Sequence, residues 1–320
     1  MDKRSKIAVI GTSAVMLLIV IILGAALVKK LTPSDEVMLL KDYYPLEDTE
    51  VLVILQDQIS EEKGMLLDGK VYLDYETVVQ EFNHRFYWDH NENILIYTTP
   101  DEILQAEAGS NQYSVTKSMI KTNANTEYPI VKVFADQVYI SIDFVAKYSD
   151  MDYQYYPDPN RVIINYKWGD YLFTDVTKNT QLRKNASIKS PILAELPAGT
   201  SLMCVNMEEV PKKGFSKVMT KEGIIGYVKN KHIKESYYKT LSSNFKEPEY
   251  TSQTRPEKIN LVFHQVFNKD AVSNLEALVK PAKGLDVIVP TWFSVNDVSG
   301  TISSIATEEY VKKANDLGLE

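Results

Sequence analysis

A single thiol is the strongest nucleophile that this 320-residue sequence offers. It belongs to Cys204, and because the sequence has no second cysteine, no disulfide can form within the chain. A lone cysteine can act as a catalytic nucleophile or fill a core position. Its neighbours Leu202, Met203 and Val205 are typical of a strand, which favours the core position.

Two of the four histidines, His84 and His90, lie close enough in sequence to share a metal ion. They flank an aromatic segment, so the alternative is a pair of surface or half-buried side chains. No cysteine or acidic cluster of the sequence completes the ligand set that zinc requires. The sequence therefore predicts no metal site and no cofactor.

Aromatic residues form two groups that can stack on sugar rings or pack across strands. The groups consist of Phe86, Tyr87 and Trp88, and of Tyr153, Tyr155 and Tyr156. Each group lies within a β-rich segment, where cross-strand pairs stabilise a sheet. Core packing is therefore favoured over sugar binding.

These aromatic groups belong to an internal repeat, 68–97 and 135–164, with an offset of 67 residues. Each copy has the pattern of a strand, a short helix, an aromatic strand, a turn and a strand. Such a unit cannot bury both of its faces alone. We expect the copies to share one core and to place Val71 and Val138 in like elements.

The N-terminal segment 7–28 is uncharged and mostly apolar, and about 20 such residues span a bilayer as a helix. Lys3, Arg4 and Lys6 precede it, which favours a cytoplasmic N-terminus. The segment predicts a transmembrane signal anchor, with cleavage near Gly24 as the alternative. The expected location is the cell membrane, single-pass, with the later domains extracytoplasmic.

The rest of the chain divides by pattern into three parts. Residues 169–235 contain short strands between turns, which predicts a small β barrel. Residues 236–257 are polar and predict a linker. Residues 258–320 have the order strand, crossover, strand, amphipathic helix, which is typical of a parallel βαβ arrangement. The net charge of −8 argues against nucleic acid as a partner.

Two of these regions resemble known modules. The repeat region, 37–168, resembles the copper amine oxidase N-terminal-like domain, a non-catalytic module of bacterial wall proteins whose name implies no copper here. Region 169–235 resembles a bacterial SH3-type domain through Leu182-Arg183, Leu196-Pro197-Ala198-Gly199-Thr200 and Gly223-Ile224-Ile225-Gly226-Tyr227-Val228. The second resemblance implies binding of cell-wall peptide or a role as a spacer.

Region 258–320 resembles the opening of the glycoside hydrolase family 18 barrel, in the branch of spore and cell-wall N-acetylglucosaminidases. The motifs that carry the resemblance are Ile259-Asn260-Leu261-Val262-Phe263-His264-Gln265-Val266 and Val289-Pro290-Thr291-Trp292-Phe293. By resemblance, Trp292, Phe293 and Gln265 line a sugar cleft, and core packing is the alternative. The resemblance implies hydrolysis of β-linked N-acetylglucosamine polymers by a full-length form.

The catalytic device of that family, Asp-x-x-Asp-x-Asp-x-Glu, is absent from the sequence. The nearest match is the segment Asp150-Met151-Asp152-Tyr153-Gln154, which has Gln at the position of the acid. It lies inside the repeat, so we interpret it as sheet architecture. After Glu257 only 63 residues remain, whereas such a barrel needs about 250. We therefore predict no catalytic residue here.

The expected fold is multidomain: a transmembrane helix, an α+β repeat domain, an SH3-like β barrel and the start of a truncated (β/α)8 barrel. Two functions compete. The first is a truncated cell-wall glycosidase of the membrane. The second is a non-catalytic protein that binds cell-wall polysaccharide or peptidoglycan, or has a structural role.

Overall fold

The computed structural model describes residues 3–205, 214–249, 256–268, 270–298 and 300–320, and the side chains of 3–15 and of Ala271 lie outside the description. The chain divides into two compact units, Met1–Tyr250 and Thr251–Glu320. Each unit has its own core.

The first helix, α1 (Lys3–Leu31), covers the predicted membrane anchor. No helix among the described residues is long and apolar enough to cross a membrane. The prediction of a transmembrane helix at 7–28, and with it a single-pass membrane location, is therefore wrong. The side chains of α1 are described only from Met16, and that part is shorter than the about 20 residues of a span.

An extended segment, 32–46, follows α1 and lies along the small sheet of the first unit. It contains one short helix, α2 (Leu40–Tyr43). The backbone of Met38 donates to the carbonyl of Ile192 at 2.9 Å, and Tyr44 is buried. The segment therefore packs as part of the first unit's fold.

The repeat region is mostly β-sheet. Its elements are β1 (Glu50–Leu55), β2 (Gln58–Ile59), β3 (Gly64–Leu67), β4 (Lys70–Asp74), α3 (Tyr75–Thr77) with a π-helical turn (Val78–Phe82), β5 (Phe86–Asp89), β6 (Ile94–Thr98), β7 (Glu102–Glu107), β8 (Gln112–Lys117), β9 (Ile120–Asn125), β10 (Val131–Phe134), β11 (Gln137–Ser141), α4 (Ile142–Tyr148), β12 (Asp152–Tyr156) and β13 (Arg161–Asn165). Strands β5 to β9 form an antiparallel meander. The other strands form one sheet in the order β10-β11-β4-β3-β1-β13-β12, with β2 paired to β1.

The two copies of the repeat have the same order of elements, and they meet at a local two-fold axis. Strands β4 and β11 pair antiparallel, with Leu73 opposite Ile140, its own counterpart 67 positions later. Val71 lies in β4 and Val138 in β11, so the expectation of like elements is confirmed. One core joins both copies, because the rings of Phe86 and Phe144 lie 6.2 Å apart within it.

Residues 169–241 form a seven-stranded antiparallel sheet. Its strands are β14 (Gly169–Asp175), β15 (Thr180–Arg183), β16 (Ile192–Leu196), β17 (Ser201–Cys204), β18 (Phe215–Met219), β19 (Ile225–Lys229) and β20 (Tyr237–Leu241), with a 3₁₀ turn at Asn230–His232. The order is β16-β15-β19-β18-β17-β14-β20. Strand β20 lies inside the segment predicted as a linker.

This small sheet is open, so the prediction of a closed SH3-like β barrel is wrong. Among the described residues its two end strands, β16 and β20, do not pair with each other. One part of its apolar surface is buried instead against the repeat, where Met219 and Ile225 share a core with Ile54 and Ile163. Because that surface is covered by another sheet, closure is not needed to remove it from water.

The turn at Gly223 is where the small sheet approaches the repeat most closely. Gly223 has φ +76°, and a Cβ placed there would lie 2.8 Å from Cδ1 of Ile54. Arg161 Nε donates to the carbonyl of Glu222 at 2.6 Å, and the hydroxyl of Tyr44 donates to the carbonyl of Gly223 at 3.3 Å. Burial raises the pKa of Tyr44 to about 12, which keeps this hydroxyl protonated.

The second unit is small and built from short elements. These are β21 (Leu261–His264), α5 (Ala271–Val279), β22 (Val287–Pro290), β23 (Phe293–Val295), β24 (Ile302–Ser304) and α6 (Glu308–Asp316). Strands β21 and β22 pair in parallel, whereas β23 and β24 form an antiparallel pair. Tyr310 and Ala314 of α6 are buried in its core, as the amphipathic pattern indicates, but Val311 is exposed.

The second unit is not the start of a (β/α)8 barrel, and that prediction is wrong. After two parallel strands the chain turns into the antiparallel pair β23–β24 instead of supplying a third parallel strand. Leu261, Val262 and Phe263 of β21 are exposed, whereas Ile288 of β22 is buried. The described fold is thus mostly open β-sheet, without a closed barrel.

Candidate functional site

The three residues predicted to bind sugar come after the carboxyl ends of the two parallel strands in the second unit. His264 ends β21 and lies opposite Pro290, which ends β22. The backbone of Thr291 donates to the carbonyl of His264 at 2.9 Å. Gln265 follows His264 and Trp292 follows Thr291, so both residues come just after the carboxyl ends of the paired strands.

A row of aromatic rings in contact extends from the core of the second unit to its surface. Tyr310 is buried, and its hydroxyl lies 2.6 Å from Nδ1 of His264. Burial raises the pKa of this tyrosine, so its hydroxyl stays neutral. The ring of Trp292 contacts Tyr310 edge-on at 5.2 Å, and the ring of Phe293 lies 6.2 Å beyond.

The outer end of this row of aromatic rings is accessible to solvent. Phe293 is 63% exposed, Trp292 is half-buried and Gln265 is exposed. An exposed ring supplies a flat apolar face, and an amide supplies both a donor and an acceptor. The ring of Phe293 can therefore stack against one face of a sugar, and the amide of Gln265 can form hydrogen bonds with hydroxyl or acetamido groups. The assignment of these three residues to sugar binding remains a prediction.

The aromatic groups of the repeat are used mainly for packing. Phe86 and Trp88 are buried in the shared core, and Tyr87 alone of the first group is exposed. The hydroxyl of Tyr155 donates to Asn160 at 2.7 Å, within the turn between β12 and β13. Core packing, the alternative favoured by the sequence, is thus confirmed for Phe86 and Trp88. The segment 150–154 enters strand β12, which confirms that it is sheet architecture.

The thiol and the histidine pair are not arranged for catalysis or metal binding. Cys204 is half-buried, and burial raises the pKa of its thiol, which disfavours the reactive thiolate. Nδ1 of His90 accepts a hydrogen bond from Nε1 of Trp88 at 3.1 Å, and His84 is exposed. Within the described ranges, no group of three or more His, Cys, Asp or Glu side chains is placed to hold a metal ion.

A cleft of about 780 Å³ in the first unit is a second candidate site, and the sequence does not reveal it. Its walls come from the turn between β1 and β2, from the helix that begins with α3, and from the segment after β13. We call it the acidic cleft because of five carboxylates that line it: Asp57, Glu61, Glu62, Glu76 and Glu81. Of the residues lining it, only Lys167 is basic.

One side of the acidic cleft is fixed by hydrogen bonds. The hydroxyl of Tyr166 donates to Oε2 of Glu81 at 2.6 Å, and Nζ of Lys167 lies 3.9 Å from the same oxygen. Burial, and then the bond to Glu81, raise the pKa of Tyr166. Oε1 of Gln56 accepts from the backbone nitrogens of Tyr166 and Lys167, each at 3.2 Å. These contacts hold the wall in place without using the other carboxylates.

Comparisons with known proteins add little to this geometry. No protein-family model matches the chain, and no curated protein matches it. The structure of NlpC1 from Trichomonas vaginalis is similar at 12% identity over 47% of this chain and 40% of that chain, with a TM-score of 0.17. That of NlpC2 from the same organism is similar at 13% identity over 47% of this chain and 42% of that chain, with a TM-score of 0.18.

The chain thus spans less than half the length of these two solved chains. Similarity at such TM-scores carries no argument about fold or activity. These comparisons show no family to which the chain belongs.

Proposed function

We propose that this chain is a non-catalytic glycan-binding protein whose ligand is a β-linked N-acetylglucosamine polymer of the cell wall. The single observation that supports the proposal is the exposed ring of Phe293, which contacts the ring of Trp292 just after the carboxyl end of β22. The resemblance of 258–320 to glycoside hydrolase family 18 supplies the class of sugar. Hydrolysis is not proposed for these 320 residues, because they lack the acidic motif of that family.

The physical basis is stacking. A pyranose ring has an apolar face of C–H groups, and burial of an aromatic side chain against it removes apolar surface from water. The edge-on contact of Trp292 with Tyr310 holds the tryptophan ring in place before the ligand arrives. A site with such a fixed wall loses less side-chain entropy on binding. The exposed amide of Gln265 supplies a polar contact that suits an acetamido group.

The test is titration of the full chain with a hexamer of N-acetylglucosamine, in which tryptophan fluorescence or calorimetry measures binding. Phe293→Ala should weaken binding by about tenfold, as expected for loss of an aromatic contact at the centre of an interface. The matched control is Tyr87→Ala, because Tyr87 is also an exposed aromatic residue at 58% but lies on β5 in the first unit. The Tyr87→Ala variant should bind the hexamer with unchanged affinity.

A glucose hexamer without acetamido groups distinguishes the sugar class. Equal binding of the two hexamers would contradict the assignment to N-acetylglucosamine. If Phe293→Ala and Tyr87→Ala bind the ligand alike, the aromatic edge is not the site. Release of shorter sugars from the hexamer would contradict the non-catalytic part of the proposal.

A further inference from the structure

The acidic cleft has the properties of a binding site that is separate from the aromatic edge. Its volume of about 780 Å³ falls within the range of sites for small ligands and short peptides. Apolar side chains contribute to its walls, among them Leu55, Ile59 and Tyr171. A ligand with an aliphatic stem and a charged end can use both kinds of surface.

Gln56 gives an observation that does not depend on the carboxylates. The residue is 4% exposed and lines the cleft. Its Oε1 is occupied by two backbone nitrogens, which fixes the orientation of the amide. Its Nε2 is buried and has no hydrogen-bond partner among the described residues. A buried donor without a partner is unfavourable, so a ligand that brings an acceptor to this nitrogen is favoured.

The second copy of the repeat shows what kind of group satisfies an acid at this point of the fold. The counterpart of Glu76, 67 positions later, is Asp143, and Oδ2 of Asp143 lies 3.0 Å from Nζ of Lys70. The counterpart of Lys70 is Gln137, which carries no charge. The described part of the chain therefore supplies Glu76 with no ion-pair partner.

A ligand that carries both a cation and a hydrogen-bond acceptor would satisfy both observations. A bare metal ion supplies no acceptor for the amide nitrogen of Gln56, and a neutral sugar supplies no cation for the carboxylates. A lysine residue within a peptide supplies both, because its ammonium is joined by a methylene stem to a backbone carbonyl. The apolar wall suits that stem.

We propose that the acidic cleft binds a lysine side chain of a basic peptide, with Glu76 facing its ammonium and Gln56 donating to its backbone carbonyl. The carboxylates between β2 and β3, Glu61 and Glu62, extend the negative field toward further basic residues of the same peptide. Binding is therefore strongest at low ionic strength, because exposed charges are screened by salt.

In the experiment the full chain is titrated with the peptide acetyl-Lys-Lys-Lys-amide, and calorimetry measures the affinity at low and at physiological salt. The matched ligand is the same peptide with each side-chain amine acetylated, which keeps the stem and the carbonyls but removes the cation. The trilysine peptide should bind, and the acetylated peptide should not. Glu76→Gln should weaken binding about threefold to fivefold, the size of one partly exposed ion pair.

Glu92→Gln is the matched control variant, because Glu92 is an exposed acid of the same repeat that does not line the cleft. It should bind trilysine as the unaltered chain does. Equal binding of the acetylated peptide, or equal loss in the two variants, would overturn the proposal. Binding of calcium chloride alone, without binding of trilysine, would assign the cleft to a metal ion instead. Thermal melts of both variants check that each is folded.

Discussion

The two copies of the repeat place an acid at the same point of the chain and use it in different ways. In the second copy, Asp143 is held by Nζ of Lys70 and by the hydroxyl of Tyr153. In the first copy, Glu76 lines an open cleft. The shared element order is thus a scaffold, and the partner of the acid decides whether the position stabilises the fold or is left to bind a ligand.

The copies also differ in what surrounds their hairpins. The hairpin β5–β6 of the first copy continues into the meander β7–β9, whereas β12–β13 of the second copy pairs in parallel with β1. Ile163 of β13 then contacts the small sheet. The first copy carries its aromatic residues into the shared core, and the second copy joins the repeat to the next sheet. Substitutions at equivalent positions should therefore have unequal effects.

The largest effect is expected at an aromatic position in the first strand of each hairpin. Phe86 is 1% exposed, whereas its counterpart Tyr153 is half-buried. Phe86→Ala should lower the free energy of unfolding by about 4 kcal/mol, because it leaves a cavity in the shared core. Tyr153→Ala should cost about half as much. Urea unfolding of both variants measures the difference.

The adjacent Tyr87→Ala serves as the control, since its exposed side chain should contribute within about 0.5 kcal/mol. Equal losses at Phe86 and Tyr153 would show that the copies share the core equally.

A smaller effect is expected in the strands β3 and β10, where the copies differ in volume. Gly64 of β3 corresponds to Val131 of β10. A Cβ at Gly64 would lie 2.7 Å from the backbone oxygen of Tyr72, which cannot move aside as a side chain can. Gly64→Ala should therefore cost about 2–3 kcal/mol through overpacking. Val131→Ala should cost about 2 kcal/mol for the opposite reason, the loss of buried methyl groups.

Gly24→Ala is the matched control for the first of these changes, because a Cβ at Gly24 meets no atom within 4 Å. Thermal unfolding of the three variants makes the comparison. A Gly64→Ala variant as stable as the Gly24→Ala variant would show that β3 can shift away from Tyr72.

The strands of this fold could be predicted more readily than their assembly. Turn residues such as Gly199 and Gly223 separate short apolar runs, and the predicted strands of 169–235 correspond to β14–β19. The small sheet stays open because Ile54 and Ile163, which are distant from it in sequence, cover it only after folding. Local pattern carries no information about such a contact, so it indicated a barrel.

The candidate sites show the same limit. Gln265 and Trp292 each follow a strand, so parallel pairing alone brings them to one edge. The acidic cleft joins Glu61 to Glu76 across two strands and a turn, and no spacing rule links them. A signal existed in the repeat, since aligning the copies sets Glu76 against Asp143 and Lys70 against Gln137. It becomes informative only when the pairing of β4 with β11 is known.

The acids Asp143 and Glu76 should contribute unequally to stability. Burial alone would raise the pKa of Asp143, but hydrogen bonds from Tyr153 and Lys70 outweigh it and hold that pKa below its ordinary value. Asp143→Asn should therefore cost about 1 kcal/mol at pH 7, after allowance for screening of a pair whose side chains are 40% and 30% exposed. Glu76→Gln should change stability by less than about 0.5 kcal/mol.

The pH dependence has a defined sign. A carboxyl with a lowered pKa in the folded state stabilises the fold above the pKa of the unfolded state, about 3.9, and the contribution is lost as the pH falls through the folded pKa. The difference between the unaltered chain and Asp143→Asn should thus shrink below about pH 4. A difference that stays constant down to pH 2.5 would mean that charge is not its cause.

The smallest effect tests whether the two copies can be made alike. Because α3 packs against β11 as α4 packs against β4, a lysine at position 137 should reach Glu76 as Lys70 reaches Asp143. Gln137→Lys should raise the free energy of unfolding by about 0.5 kcal/mol at low salt. Loss of the hydrogen bond that Gln137 accepts from the hydroxyl of Tyr139 reduces this gain. A double-mutant cycle with Glu76→Gln isolates the ion pair from that loss. The same lysine should also weaken trilysine binding, since it occupies the carboxylate that the peptide needs. A coupling of zero in the cycle, with peptide affinity unchanged, would show that the equivalence of the two copies ends at the backbone.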